Sequence, residues 1–231
     1  MTERSDRERL VLRRMKDDWN ERARSNAEFF IASADAVGEE AFRSSGERDV
    51  ALFFEGIEHL LVPSAVVVDI GCGIGRMDEF VAPRVRRLIG FDVSGEMVAK
   101  ARARLAHLPN VEFRENDGFS LTGIAAGTVD LIFSHIVFQH VPAEVMEAYF
   151  HVAYFALRLG GTFVFQVPEA IGDEPVVPPV ENTWDLRFYR EEELRSRLAA
   201  IGYAWVDAAR CRVDTPGGGF NQLRVRVTKA C

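Results

Sequence analysis

The stretch VVVDIGCGIGRM, residues 66–77, decides how the rest of this chain reads. A run of β-branched residues passes straight into three glycines two apart, Gly71, Gly73 and Gly75, with Asp69 just before them. A short, continuous apolar run ending in a glycine turn reads as a strand buried on both faces. Glycine in such a turn lets backbone N–H groups approach a ligand that a Cβ would hold off. The spacing departs from the dinucleotide pattern Gly-x-Gly-x-x-Gly, which would want its third glycine at position 76, where Arg76 stands. Asp69 points the same way: a carboxylate repels a pyrophosphate and attracts a ligand that carries an ammonium group.

Outward from this stretch the pattern alternates. The strand over 65–70 is followed by a helix from about 76, a strand over 87–93, a helix over 95–107, and strands over 110–116 and 129–135. A helix over 143–158 and a strand over 161–168 come next. Short apolar strands separated by helices predict an α/β fold, a doubly wound and mostly parallel sheet covered on both faces. Residues 169–189 carry prolines and no clear period, which predicts a long loop. A helix over 190–200 then leads to strands around 203–210 and 222–228, joined by the TPGGGF turn at 215–220, so one of this last pair runs antiparallel. Seven strands result. Ahead of them, residues 5–32 have helical periodicity, 38–46 read as looser chain, and 47–61 read as a second helix stopped by Pro63. Residues 1–60 are therefore expected to form an N-terminal helical extension or lid, and 61–231 the main domain.

Composition narrows the function classes. The 231 residues are 48% hydrophobic and 27% charged, and 28 basic against 35 acidic residues give a net charge of −7. This speaks against a DNA-binding protein that works by bulk positive charge. The arginine-rich look of the first 48 residues is balanced by acids, ten basic against eleven acidic. MTERSDRERL lacks the apolar core of a signal peptide, and no apolar run is long enough for a membrane span. The three cysteines, Cys72, Cys211 and Cys231, have no metal-ligand spacing. The expected setting is reduced and cytoplasmic, with no membrane partner and no metal; the oligomeric state stays open.

Five segments in order then give a resemblance. VVVDIGCGIGRM, IGFDVSGEMVAKAR, FRENDG, VDLIFSHIVFQHVP and GGTFVFQVPE, followed by FYREEELRSRLAAIGY and the C-terminal strand pair, resemble the class I S-adenosylmethionine-dependent methyltransferases over roughly residues 50–230. The resemblance implies a seven-stranded sheet with an antiparallel C-terminal strand, and S-adenosylmethionine as cofactor, leaving as S-adenosylhomocysteine. It implies that Gly71, Gly73 and Gly75 meet the amino-acid part of the cofactor, with Asp69 near its ammonium group. Asp92 would hold the ribose hydroxyls, Met97 the adenine face, Asp117 and Gly118 the adenine edge, and Ser134 the methionine portion. From the N-terminal cluster of Trp19, Asn20, Arg22 and Arg24, Trp19 would cover the cofactor and Arg24 would meet its carboxylate. Plainer roles stand beside these: Asp69 as a turn cap, Met97 as helix core, Asp117 as a loop acid, and Trp19 in an amphipathic helix with its arginines in water.

His140 and His135 follow the fourth strand, at the end where ligands bind in open sheets. Either is placed to take a proton from an acceptor hydroxyl, or, as FQHVP also reads as a helix entry, to hydrogen-bond backbone. The chain lacks the Asn/Asp-Pro-Pro-aromatic segment of many DNA amino-methyltransferases. The expected acceptor is thus a small molecule methylated on oxygen or nitrogen, in a pocket that includes Trp184, Phe188 and Tyr189. RNA or protein methylation, and a cofactor-binding module without turnover, are the alternatives.

Overall fold

A computed structural model describes residues 6–32, 38–170, 183–215 and 218–230. The elements run α1 (Asp6–Ile31), α2 (Glu39–Phe53), β1 (Val66–Ile70), α3 (Asp78–Val81), β2 (Arg87–Asp92), α4 (Gly95–Arg104) and β3 (Val111–Glu115). Then follow β4 (Val129–Ser134), α5 (Ala143–Ala156), β5 (Leu157–Pro168), α6 (Glu191–Ile201), β6 (Tyr203–Thr215) and β7 (Gly218–Lys229). One seven-stranded sheet has the order β3-β2-β1-β4-β5-β7-β6. The pairs β2–β3, β1–β4 and β4–β5 are parallel, and β7 is antiparallel to both of its neighbours. The order reverses between β1 and β4, the switch point at which open α/β sheets bind ligands.

The apolar runs explain the layering. All five residues of β1 are buried, and β4 and the second half of β5 are buried almost throughout, as strands covered by helices must be. In β7 the alternation is explicit: Leu223, Val225 and Val227 are buried, opposite Val167, Phe165 and Phe163 of β5. Phe163 and Phe165 in turn pack edge-on or tilted against Phe138 and Phe150 under α5.

Contacts divide the chain into two compact units: residues 6–65 with 71–118, and residues 66–70 with 119–230. In the first, Ala23, Ala27, Phe42, Ile74 and Met97 form one apolar cluster, and Cys72, Val98, Ala101, Leu105 and Phe113 another. α1 is interrupted at Asn26, whose side-chain oxygen accepts from the Phe29 N–H (3.1 Å) and so starts a new helical turn.

Three sequence expectations are corrected. Residues 39–46 are helix, not loose chain, and the helix ends at Phe53; Glu58–Leu60 form only a 3-10 turn before Pro63. Ser44, Ser45 and Gly46 are poor helix formers, but packing overrides propensity here. A Cβ on Gly46 would stand 2.5 Å from the Arg76 carbonyl oxygen, so glycine lets α2 lie against the loop after β1. Buried Arg76 meets Asp49 (2.7 Å) and Ser45 Oγ (3.2 Å) from the same helix. The helix expected from residue 76 is a single turn, because Pro83 follows and the chain tightens into a 3-10 turn over Ala82–Arg84. Finally, β6 and β7 run several residues beyond the expected strands. The expected loop lies largely outside the described residues at 171–182, as does the tip of the TPGGGF turn at 216–217.

Candidate functional site

In the first unit the glycine loop is built almost wholly from backbone. Gly71, Gly73 and Gly75 have φ of 82°, 55° and 78°, a region that only glycine enters without strain. The N–H groups of Gly71 and Cys72 both donate to the Phe91 carbonyl (2.7 and 3.0 Å), which ties the loop to the end of β2. One residue further along β2 stands Asp92. Its Oδ2 accepts from Gly73 N–H (2.9 Å) and its Oδ1 from Ser94 N–H (2.8 Å). The Val93 N–H also bonds this carboxylate, and of its roughly four lone-pair sites that leaves capacity for a further donor. The packing around Asp92 outweighs these hydrogen bonds and pushes its pKa up to about 6.

The glycines differ in what they face. A Cβ on Gly75 would meet Leu105 at 2.8 Å and Phe113 at 3.2 Å, so this glycine is required by packing against α4 and β3. At Gly73 the neighbour is Ile31 (3.2 Å), and at Gly118 it is Met15 (2.7 Å) and Leu12 (3.4 Å). One apolar face of α1 therefore lies along the glycine loop and Gly118. Four polar contacts hold it there. Asn20 Oδ1 accepts from Ser94 Oγ (2.8 Å) and Glu96 N–H (3.2 Å), Arg24 pairs with Glu96 (3.0 Å), and Lys16 pairs with Glu115.

Met97 is buried in the α1–α2 cluster, with Trp19 packed beside it. The Trp19 ring is faced by Arg22 at 4.7 Å, while Arg24 is exposed with its acid partner. Asp117 is exposed. Its neighbour Asn116, which sequence reasoning passed over, is buried; it donates its N–H to Asp92 O (2.9 Å) and its side chain accepts from Gly118 N–H (3.1 Å). Only its burial marks it out.

The second unit holds Asp69, Ser134, His135 and His140. Asp69 is buried at the end of β1, level with Phe133 of β4. Ser134 Oγ donates to the Ile70 carbonyl (2.9 Å), so its proton is committed to joining these two strands. After Ser134 the chain turns sharply through Ile136, whose φ of 58° is strained for a β-branched residue. His135 is partly exposed and His140 buried. Gln222 Nε2 donates to Gln139 Oε1 (3.2 Å), which leaves the Gln139 amide to donate to His140 Nε2 (3.0 Å). The His140 ring stacks on Trp184 at 5.6 Å. Sequence reasoning missed Gln222 and buried Arg187, whose N–H donates to the Gln139 carbonyl (2.9 Å).

Among the described residues, no group of His, Cys, Asp and Glu is gathered as a metal site, and no helix is long and apolar enough to cross a membrane.

Residues 67–161 match the family model of a methyltransferase domain. A trans-aconitate 2-methyltransferase of Methylobacterium nodulans is 32% identical over 169 residues, 67% of this chain; the chain spans only 60% of that relative's length. Two solved structures share the fold. A 1,6-didemethyltoxoflavin-N1-methyltransferase of Burkholderia thailandensis, solved with S-adenosylhomocysteine, has a TM-score of 0.69 at 22% identity over 100% of this chain and 93% of its own. A geranyl diphosphate C-methyltransferase of Streptomyces coelicolor A3(2), also with S-adenosylhomocysteine, has a TM-score of 0.70 at 15% identity over 95% and 98%.

Proposed function

The chain belongs to the class I S-adenosylmethionine-dependent methyltransferases, and we propose that it transfers the methyl group of that cofactor to an oxygen or nitrogen of a small-molecule acceptor. The observation that carries the reading is the left-handed glycine loop, pinned through Gly73 N–H to the Asp92 carboxylate at the end of β2. Oxygen is preferred because of the relatives named for trans-aconitate, a small polycarboxylate. A cytoplasmic setting, without DNA or membrane as partner, belongs to the same reading.

Asp92 would accept from the ribose hydroxyls, and Gly71 and Gly73 would let the loop lie against the amino-acid end. Asp69 and Ser134 would border that end, Met97 would pack on the adenine, and Asp117 and Gly118 would meet its edge. Residues 1–60 would act as a lid, with Trp19 over the cofactor and Arg24 free for its carboxylate once it leaves Glu96. The cofactor supplies a methyl already activated on a sulfonium. The protein then has to aim the acceptor and keep water out. An acceptor hydroxyl would lose its proton to His140 or His135. A second reading, cofactor binding without turnover, draws on one contact: the Gln139 amide occupies His140 Nε2, the atom a base would use.

Calorimetric titration with S-adenosylmethionine, S-adenosylhomocysteine and NAD tests the reading. Micromolar binding of the first two and none of NAD is expected; no binding of any of the three would overturn it. Turnover of acceptors that survives His140→Ala would assign the proton transfer elsewhere.

A further inference from the structure

The turn that follows β3 is fixed by three sets of contacts. Asp92 and Glu115 are register partners at the ends of β2 and β3, so Asn116 is the first residue beyond the ladder. Its N–H still donates to the Asp92 carbonyl (2.9 Å), and its Oδ1 turns forward to accept from Gly118 N–H (3.1 Å). A side-chain oxygen that accepts from the N–H two residues on closes an Asx turn and fixes the chain between them. Gly118 is held against α1: its φ is 87°, and a Cβ there would stand 2.7 Å from Met15, 3.4 Å from Leu12 and 3.5 Å from Val93. Asn116 and Gly118 are buried while Asp117 between them is exposed, so the turn carries one carboxylate at its tip.

What Asn116 adds is a fixed spacing. The Asp92 side chain accepts from the glycine loop through Gly73 N–H, while its main chain accepts from Asn116. One main-chain and one side-chain hydrogen bond thus tie the Asp117 tip to the residue that holds the loop. A nucleoside joins its ribose to its base by a single bond. Two protein groups that meet the diol and the base edge must keep a matching separation, and that separation has to be set before the ligand arrives.

We propose that Asn116 is a positioning residue for cofactor selectivity: it aims Asp117 at the 6-amino group of the adenine, at the spacing set by Asp92 on the ribose. This role rests on the cofactor contacts assigned to Asp92 and Asp117 under the methyl-transfer reading. An ionised carboxylate only accepts hydrogen bonds, so at the base edge it selects a ring that carries an amino group. Gly118 N–H is engaged by Asn116, which leaves the amino group to Asp117. Selectivity for adenine then depends on where the turn holds that one carboxylate, and Asn116 is the side chain that closes the turn.

The test is calorimetric titration of the wild type, Asn116→Ala and Asn116→Ser with S-adenosylhomocysteine and with its purine analogue, which lacks only the 6-amino group. The wild type is expected to bind S-adenosylhomocysteine roughly tenfold more tightly than the analogue. Asn116→Ala should remove most of that preference, weakening S-adenosylhomocysteine about tenfold and the analogue by less than about twofold. Serine closes the same turn more weakly, so Asn116→Ser should keep a preference of roughly threefold, and it carries the comparison if the alanine variant does not fold. Amide exchange at Gly118 without ligand should quicken in Asn116→Ala and less so in Asn116→Ser. A residue that only holds the fold would weaken both ligands alike. That result, equal binding of the two ligands by the wild type, or a preference unchanged in both variants would overturn the proposal. Binding of neither ligand by the wild type would remove the cofactor reading itself, and the role of Asn116 with it.

Discussion

The two units of this protein make their candidate sites from different material. In the first, the candidate site is built from main chain: three left-handed glycines, N–H groups turned on the Phe91 carbonyl, and one carboxylate that fixes Gly73. In the second, the candidate residues are joined through side chains: the Gln222–Gln139–His140 row and the Trp184 ring stacked on it. Backbone can form a site only where glycine permits it, so such a site is tied to a few positions. Side chains can be exchanged without moving the chain.

The comparison breaks most readily at Asp92. Asp92→Ala removes the acceptor of both proposed ribose hydrogen bonds, and roughly a 100-fold loss of S-adenosylhomocysteine affinity is expected by calorimetry.

Gly75→Ala separates packing from ligand contact. Its Cβ would clash with Leu105 and Phe113 at a left-handed position, and a loss of about 2 kcal/mol is expected in denaturant unfolding.

The raised pKa of Asp92 has two consequences of opposite sign. The folded protein prefers the neutral acid, so this group's contribution to stability is fully present below the ordinary carboxyl pKa and is lost as pH rises to about 6. Ribose hydroxyls prefer the carboxylate. Cofactor affinity should therefore rise with pH to a plateau above about 6, and fall about tenfold per unit well below it. Titrations from pH 5 to 8 check this, and Asp92→Asn should be flat across that range.

The smallest effect is expected at Ser94, which caps α4 by accepting from Met97 N–H (3.1 Å) and donates to Asn20. Ser94→Ala should cost about 1 kcal/mol in thermal or denaturant unfolding. A faster opening of α1, read by amide exchange, should accompany it.

Much of the fold was legible because strand burial is written in local pattern. β1, β2, β3 and β4 lie within a residue or two of where apolar runs and glycine turns placed them, and the reversal of β7 followed from a hairpin-like pair. α2 was not legible. Ser44, Ser45 and Gly46 look like loop until Arg76 is seen pressed against Gly46, a contact made thirty residues away. Arg24 illustrates the same limit: sequence placed it near Trp19, but only the fold shows it engaged by Glu96 while Arg22 takes the ring.

By itself, then, the sequence determined the strands of the sheet and the glycine loop, since periodicity and φ requirements act between near neighbours. Only the tertiary structure decided which face of α1 lies along that loop, which atom of His140 is occupied, and that Arg187 and Tyr189 are buried together. Those are matters of desolvation, and whether a charge or a hydroxyl leaves water depends on chain brought from far along the sequence.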